Sequence, residues 1–131
     1  MDKLFHIFYI GLRNGIGKAE RASFLFAIFQ SLLFSSIYFL GSSMISRKVI
    51  INTPLLYALL PSGIAVGLIF INSRYFVKTG RYRKILDKYG SESRTSRSRK
   101  VVSLIVSLFL VIISFCTFVL SGISLSRHLF N

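Results

Sequence analysis

Side chains able to act as acids, bases, nucleophiles or metal ligands are few in this sequence, and their placement defeats each chemistry in turn. The histidines are His6 and His128, near opposite ends of the chain, and the carboxylates are Asp2, Glu20, Asp87 and Glu92. None of these six lies in the long uncharged runs 22–46, 49–73 and 101–126. A serine or thiol nucleophile needs a neighbouring base to take its proton, so the serines of these runs and the single Cys116 have nothing to activate them. Cation-coupled transport relies on an ionisable group at bilayer depth, and the runs contain none. The segment Gly15-Ile16-Gly17-Lys18 lacks the full GxxxxGK[ST] pattern of a phosphate loop and reads as a hinge. Cys116 has no second cysteine to pair with and reads as a small hydrophobe. No enzyme, cofactor or metal site is expected.

The residues with character are those suited to packing and to surfaces. Gly63 and Gly67 form a GxxxG pair, with Ala58 and Ser62 nearby, offering a flat face for close helix approach within the chain or between copies. Ala27, Ser31 and Ser35 are spaced four apart and share one face of a helix. Gln30 needs a hydrogen-bond partner in an apolar run, most simply on a neighbouring helix or in water at the bilayer surface. Pro61 removes a backbone hydrogen bond in mid-run, which predicts a kink. In 74–90, Tyr75, Phe76, Tyr82, Ile85, Leu86 and Tyr89 recur at helical spacing, with Arg81, Arg83, Lys84 and Lys88 between them. Such a basic amphipathic helix, safest over Arg81–Tyr89, suits an anionic membrane surface or a docked partner.

The elements that must position these groups follow from the spacing of charge. The chain has 131 residues, 53% hydrophobic and only 16% charged, where soluble chains carry roughly a quarter charged residues. Crossing a hydrocarbon core of about 30 Å takes about 20 apolar helical residues, and each uncharged run is long enough. The expected fold is therefore an all-α membrane protein with three transmembrane helices, a short N-terminal interfacial helix and a basic amphipathic cytoplasmic segment. Its boundaries are a cytoplasmic interfacial segment 1–21, span one 22–45, an external loop 46–53, span two 54–73, a basic cytoplasmic loop 74–100, span three 101–123 and an external tail 124–131. Leu4, Ile7, Phe8 and Leu12 make one helical stripe in the first segment. That stretch is too short to span and lacks a small-x-small cleavage pattern, so it is expected to be retained. The stretch GSESRTSRSRK is expected to be a solvated linker.

Orientation follows from the bases. Lys3, Arg13, Lys18 and Arg21 share a side with ten more in the loop, namely Arg74, Lys78, Arg81, Arg83, Lys84, Lys88, Arg94, Arg97, Arg99 and Lys100. Only Arg47, Lys48 and Arg127 fall on the other side. The positive-inside rule then puts the N-terminus in the cytoplasm and the C-terminus outside, with His6 and His128 on opposite sides. The net charge of +13 sits in loops beside spans, where anionic headgroups neutralise it. It does not interleave with aromatics on one folded face as in a nucleic-acid groove, so no nucleic-acid partner is expected.

Phe76 to Lys100, with Arg81, Tyr82, Ile85, Lys88, Tyr89, Glu92 and Ser93 ahead of a basic approach to the last span, resembles a pattern in small bacterial inner-membrane proteins. The whole layout is similar to the three-span immunity proteins that guard bacteria against pore-forming colicins. That resemblance implies a multi-pass protein of the bacterial inner membrane, with the face around Gly63 and Gly67 meeting a toxin's hydrophobic helices. The alternatives are a self-assembling, holin-like pore or membrane-perturbing effector, and an accessory subunit that recruits a partner through Tyr82, Ile85, Leu86 and Tyr89.

Overall fold

A computed structural model describes residues 1–90 and 96–131 of the chain, and only the backbone at Leu56 and Ala58. Residues 91–95 of the expected linker, which include Glu92, Ser93 and Arg94, lie outside the described residues. Every regular element among the described residues is a helix: α1 (Asp2–Gly11), α2 (Lys18–Ser43), α3 (Arg47–Asn52), α4 (Pro54–Asn72), a π-helical segment Ser73–Lys78, α5 (Arg81–Tyr89) and α6 (Arg97–Phe130). Among the described residues three stretches are long and apolar enough to cross a membrane: Lys18–Ser43, Leu59–Lys78 and Arg97–Phe130.

Helix α2 lies between α4 and α6, which each pack on it and hardly meet one another. It runs antiparallel to α4, bringing Tyr38 to Tyr57 and Phe26 to Phe76. It runs parallel to α6, bringing Phe39 to Phe118, and the His128 Nε2 donates to the Ile45 carbonyl at 2.8 Å where the two helices end. The buried side of α6 carries Ser107, Ser114 and Ser121, one every two turns, and α2 has buried Ser35, Ser36 and Ser42. Small side chains here let the backbones approach. Four of these hydroxyls donate within their own helix, Ser107 to Leu104, Ser114 to Leu110, Ser121 to Phe118 and Ser36 to Leu32.

Two glycines make the turns into helices. Gly17 before α2 has φ 71° and Gly80 before α5 has φ 69°, a left-handed backbone that costs other residues about 1–2 kcal/mol. The turn at Gly17 lies within the Gly15–Lys18 segment, and α5 spans Arg81–Tyr89.

Several expectations need correction. Gly63 and Gly67 are not an internal packing face: a Cβ built on either would have nothing within 4 Å. Helix α4 turns its opposite side, with Tyr57 and Asn72, to α2, and the close approach falls to the serines of α6. The 46–53 connection contains α3, whose Ile50 is buried. Helix α6 begins at Arg97 inside the expected linker, where Ser96 caps it by accepting from the Arg99 backbone N–H at 3.4 Å. It runs on through the expected tail to Phe130, giving 34 residues, about 50 Å at the usual helical rise and well beyond the thickness of a hydrocarbon core.

Candidate functional site

Among the described residues, a dense cluster of side chains lies where α1, the start of α2, the π-helical segment and α5 converge. Of the α1 stripe Leu4, Ile7, Phe8 and Leu12, expected to meet lipid, only Phe8 is buried and Leu4 is exposed, whereas the adjoining Phe5, Tyr9 and Ile10 are covered by protein. Phe5, Phe8 and Ile10 are each 1% exposed, and Tyr9 is buried with them. The reason is visible in the partners. Phe5 stacks on Phe76 at 4.1 Å between centroids and meets Phe26 edge-on, and Phe8 packs on Phe26 and Phe29. The π-helical geometry of Ser73–Lys78 brings fully buried Phe76 into this cluster, a use of the rare helix type at a point of close packing. Nothing in the apolar pattern of α1 distinguishes a protein wall from a lipid one.

Helix α5 lies over this cluster. Ile85 is buried in it, and Tyr82, Leu86 and Tyr89 pack half-buried against it. Tyr9 stacks on Tyr82 at 6.4 Å, His6 lies 5.6 Å from Tyr89, and the His6 Nε2 donates to the Gly90 carbonyl at 2.9 Å. The apolar face of α5 is thus occupied by α1, which corrects the expectation that Tyr82, Ile85, Leu86 and Tyr89 await a partner. Arg81 closes the join with an ion pair to Asp2 at 3.0 Å while its guanidinium lies 4.5 Å from the centre of the Tyr75 ring. The Asp2 hydrogen bond raises the Arg81 pKa above its usual value. Burial, with Tyr82 and Glu20 adding to it, pushes the Tyr9 phenol up, so it stays neutral. Of the basic set, Arg83, Lys84 and Lys88 remain exposed. Arg83 bonds the Tyr82 hydroxyl at 3.3 Å. Lys84 and Lys88 line a cavity of about 410 Å³ together with Arg81, Tyr75 and Asp2.

This end of the bundle is cationic and held by aromatic packing. Among the described residues no group of three His, Cys, Asp or Glu could hold a metal ion. Cys116 is exposed on α6, and Ser31 donates to the Ile28 carbonyl of its own helix.

Gln30 finds its partner on a neighbouring helix. The buried Asn72 amide donates to the Gln30 Oε1 at 2.6 Å, joining α2 to the end of α4. Asn72 is the residue that sequence reasoning missed, although a second lone amide in an otherwise apolar run was the available signal. Replacing Gln30 by leucine should strand the Asn72 amide and cost about 1–3 kcal/mol. The double replacement Gln30→Leu with Asn72→Leu should recover most of that loss. Thermal unfolding in detergent, run as a double-mutant cycle, measures the coupling; simple additivity of the two costs would show that the pair contributes nothing.

Fold and site together define an all-helical chain with three candidate membrane spans and a basic end locked by aromatic packing. Comparison of the chain with protein-family models, with characterised proteins and with solved structures finds no match.

Proposed function

We propose that this chain is a non-enzymatic, three-span protein of the bacterial inner membrane, with its basic end in the cytoplasm, and that it acts by receiving the hydrophobic helices of a pore-forming toxin within the bilayer. One observation carries the reading. The outer sides of α4 and α6 expose a belt of large apolar side chains, including Leu55, Leu59, Phe70, Ile105, Phe109 and Leu120. Monomeric soluble proteins rarely expose apolar patches beyond a few hundred Å², so lipid is the solvent that suits this surface. Within the belt, Gly63 and Gly67 are open to close approach by another helix. The basic residues and the aromatic lock stand at the opposite end of the bundle from Arg47 and Lys48, in keeping with the positive-inside rule.

A self-assembling pore has less support. Ser107, Ser114 and Ser121, buried on α6, bond their own backbone, and among the described residues no polar stripe faces outward along the spans.

Expression with reporter fusions after residues 50, 90 and 131 tests the topology, and challenge with a pore-forming colicin tests the role. Residues 50 and 131 should report outside and residue 90 inside. Expression should leave growth and membrane potential intact while raising survival at least about tenfold. The pair Gly63→Ile with Gly67→Ile should abolish protection without lowering the melting temperature, since both sites are open. Depolarisation on expression alone would reverse the choice in favour of a pore, and a cytoplasmic C-terminus would refute three spans.

A further inference from the structure

A second cavity, of about 540 Å³, lies between the exit from α1 and the first turns of α6. Its lining orders charge and apolarity the same way on both elements. On α6, Arg97 and Lys100 come first, followed by Val101 and Leu104; leaving α1, Leu12 is followed by Arg13. From Arg97 to Leu104 the helix rises about 10 Å, so three cations rim a groove whose deeper wall is hydrocarbon. Among the described residues no carboxylate lines it. Among the described residues none of these three side chains is ion-paired. This differs from the cavity beside α5, where Asp2 already neutralises Arg81. The floor is rigid, because Gly11 of α1 sits against the Leu104 backbone.

We infer that this groove is the headgroup site of an anionic phospholipid, with its phosphate held by Arg13, Arg97 and Lys100 and its upper acyl chain lying against Leu12, Val101 and Leu104. Guanidinium and ammonium groups donate charge-assisted hydrogen bonds to phosphate oxygens, and anionic lipids are attracted to bases next to a span. A free phosphate would leave the apolar wall uncovered, whereas a lipid satisfies both halves. The site rests on the reading that the chain lies in a bilayer.

The test uses the full chain purified in a mild detergent, with bound lipid measured by native mass spectrometry after addition of equal phosphatidylglycerol and phosphatidylcholine. The wild type should retain phosphatidylglycerol selectively, and millimolar inorganic phosphate should not displace it. Arg97→Gln with Lys100→Gln should weaken retention by about fivefold for each charge removed. Arg83→Gln with Lys84→Gln, on the exposed side of α5, should leave it unchanged. If the first pair unfolds, Arg13→Gln reads the same groove from the other element and should lose about fivefold. Equal retention of both lipids, equal loss in the α5 pair, or displacement by phosphate would each overturn the site. A chain released from membranes by alkaline carbonate would instead overturn the bilayer reading on which it rests.

Discussion

Replacing Phe5 by alanine should unseat α1 from the bundle and cost about 3–5 kcal/mol of unfolding free energy, the usual range for deleting a buried aromatic ring. Phe5 is 1% exposed and packs on two other elements as well as on its own helix. It stacks nearly parallel on Phe76 of the π-helical segment, meets Phe26 of α2 edge-on, and lies 6.3 Å from Tyr9 on its own helix. Removing the ring leaves a cavity that no single side chain can fill, because Phe26 and Phe76 are themselves held in place by contacts on other elements. The loss should spread to α5, whose Tyr82 and Tyr89 rest on Tyr9 and His6. Thermal unfolding in detergent measures the cost, and protease cleavage after Arg13 or Lys18 reports the release of α1. Leu4→Ala is the control, since Leu4 is exposed and its loss should stay within about 0.5 kcal/mol. A Phe5→Ala protein with unchanged melting and cleavage would mean that α1 lies on lipid after all.

That contrast marks how far the sequence could be read. Charge spacing alone located the three long helices, because uncharged runs of such length have one common structural use. The bounds of α5 were legible from the alternation of Lys and Arg with Tyr82, Ile85, Leu86 and Tyr89. Gln30 announced a need for a partner, and Asn72 meets it. Which apolar surface a side chain faces was not legible. The apolar side of α1, with Phe5 and Phe8, is equally suited to lipid and to Phe26 and Phe76, since both are hydrocarbon. A GxxxG pair shows that a helix can be approached closely but not that one is, and Gly63 and Gly67 stand open. The serines Ser107, Ser114 and Ser121 serve as the close seam instead. Their spacing of seven was visible, yet serine is also what a solvated face would carry. The early start of α6 depended on Ser96 as a cap and on Arg97 and Arg99, residues as compatible with a solvated linker as with a first helical turn.

Gly11 offers the sharpest test of how α1 is seated. A Cβ built there would lie 2.9 Å from both the N and the Cα of Leu104, atoms of the α6 backbone that cannot rotate away as a side-chain tip could. The Gly11→Ala protein must therefore separate α1 from α6 or shift one of them. Such overpacking costs about 1–3 kcal/mol, and it outweighs the gain of up to about 1 kcal/mol that alanine brings to a helical position. Gly41 and Gly122 lie in α2 and α6 with nothing within 4 Å of an added Cβ, so Gly41→Ala and Gly122→Ala should be neutral or slightly stabilising. The sign of the change thus separates a steric contact from the general effect of glycine in a helix. Because the same contact forms the floor of the groove beside Arg97 and Lys100, Gly11→Ala should also lower phosphatidylglycerol retention while Gly41→Ala leaves it intact. Thermal unfolding in detergent with native mass spectrometry on the same three proteins reads both effects. If Gly11→Ala melts no lower than Gly41→Ala, then α1 does not press against α6, and the groove has no fixed floor.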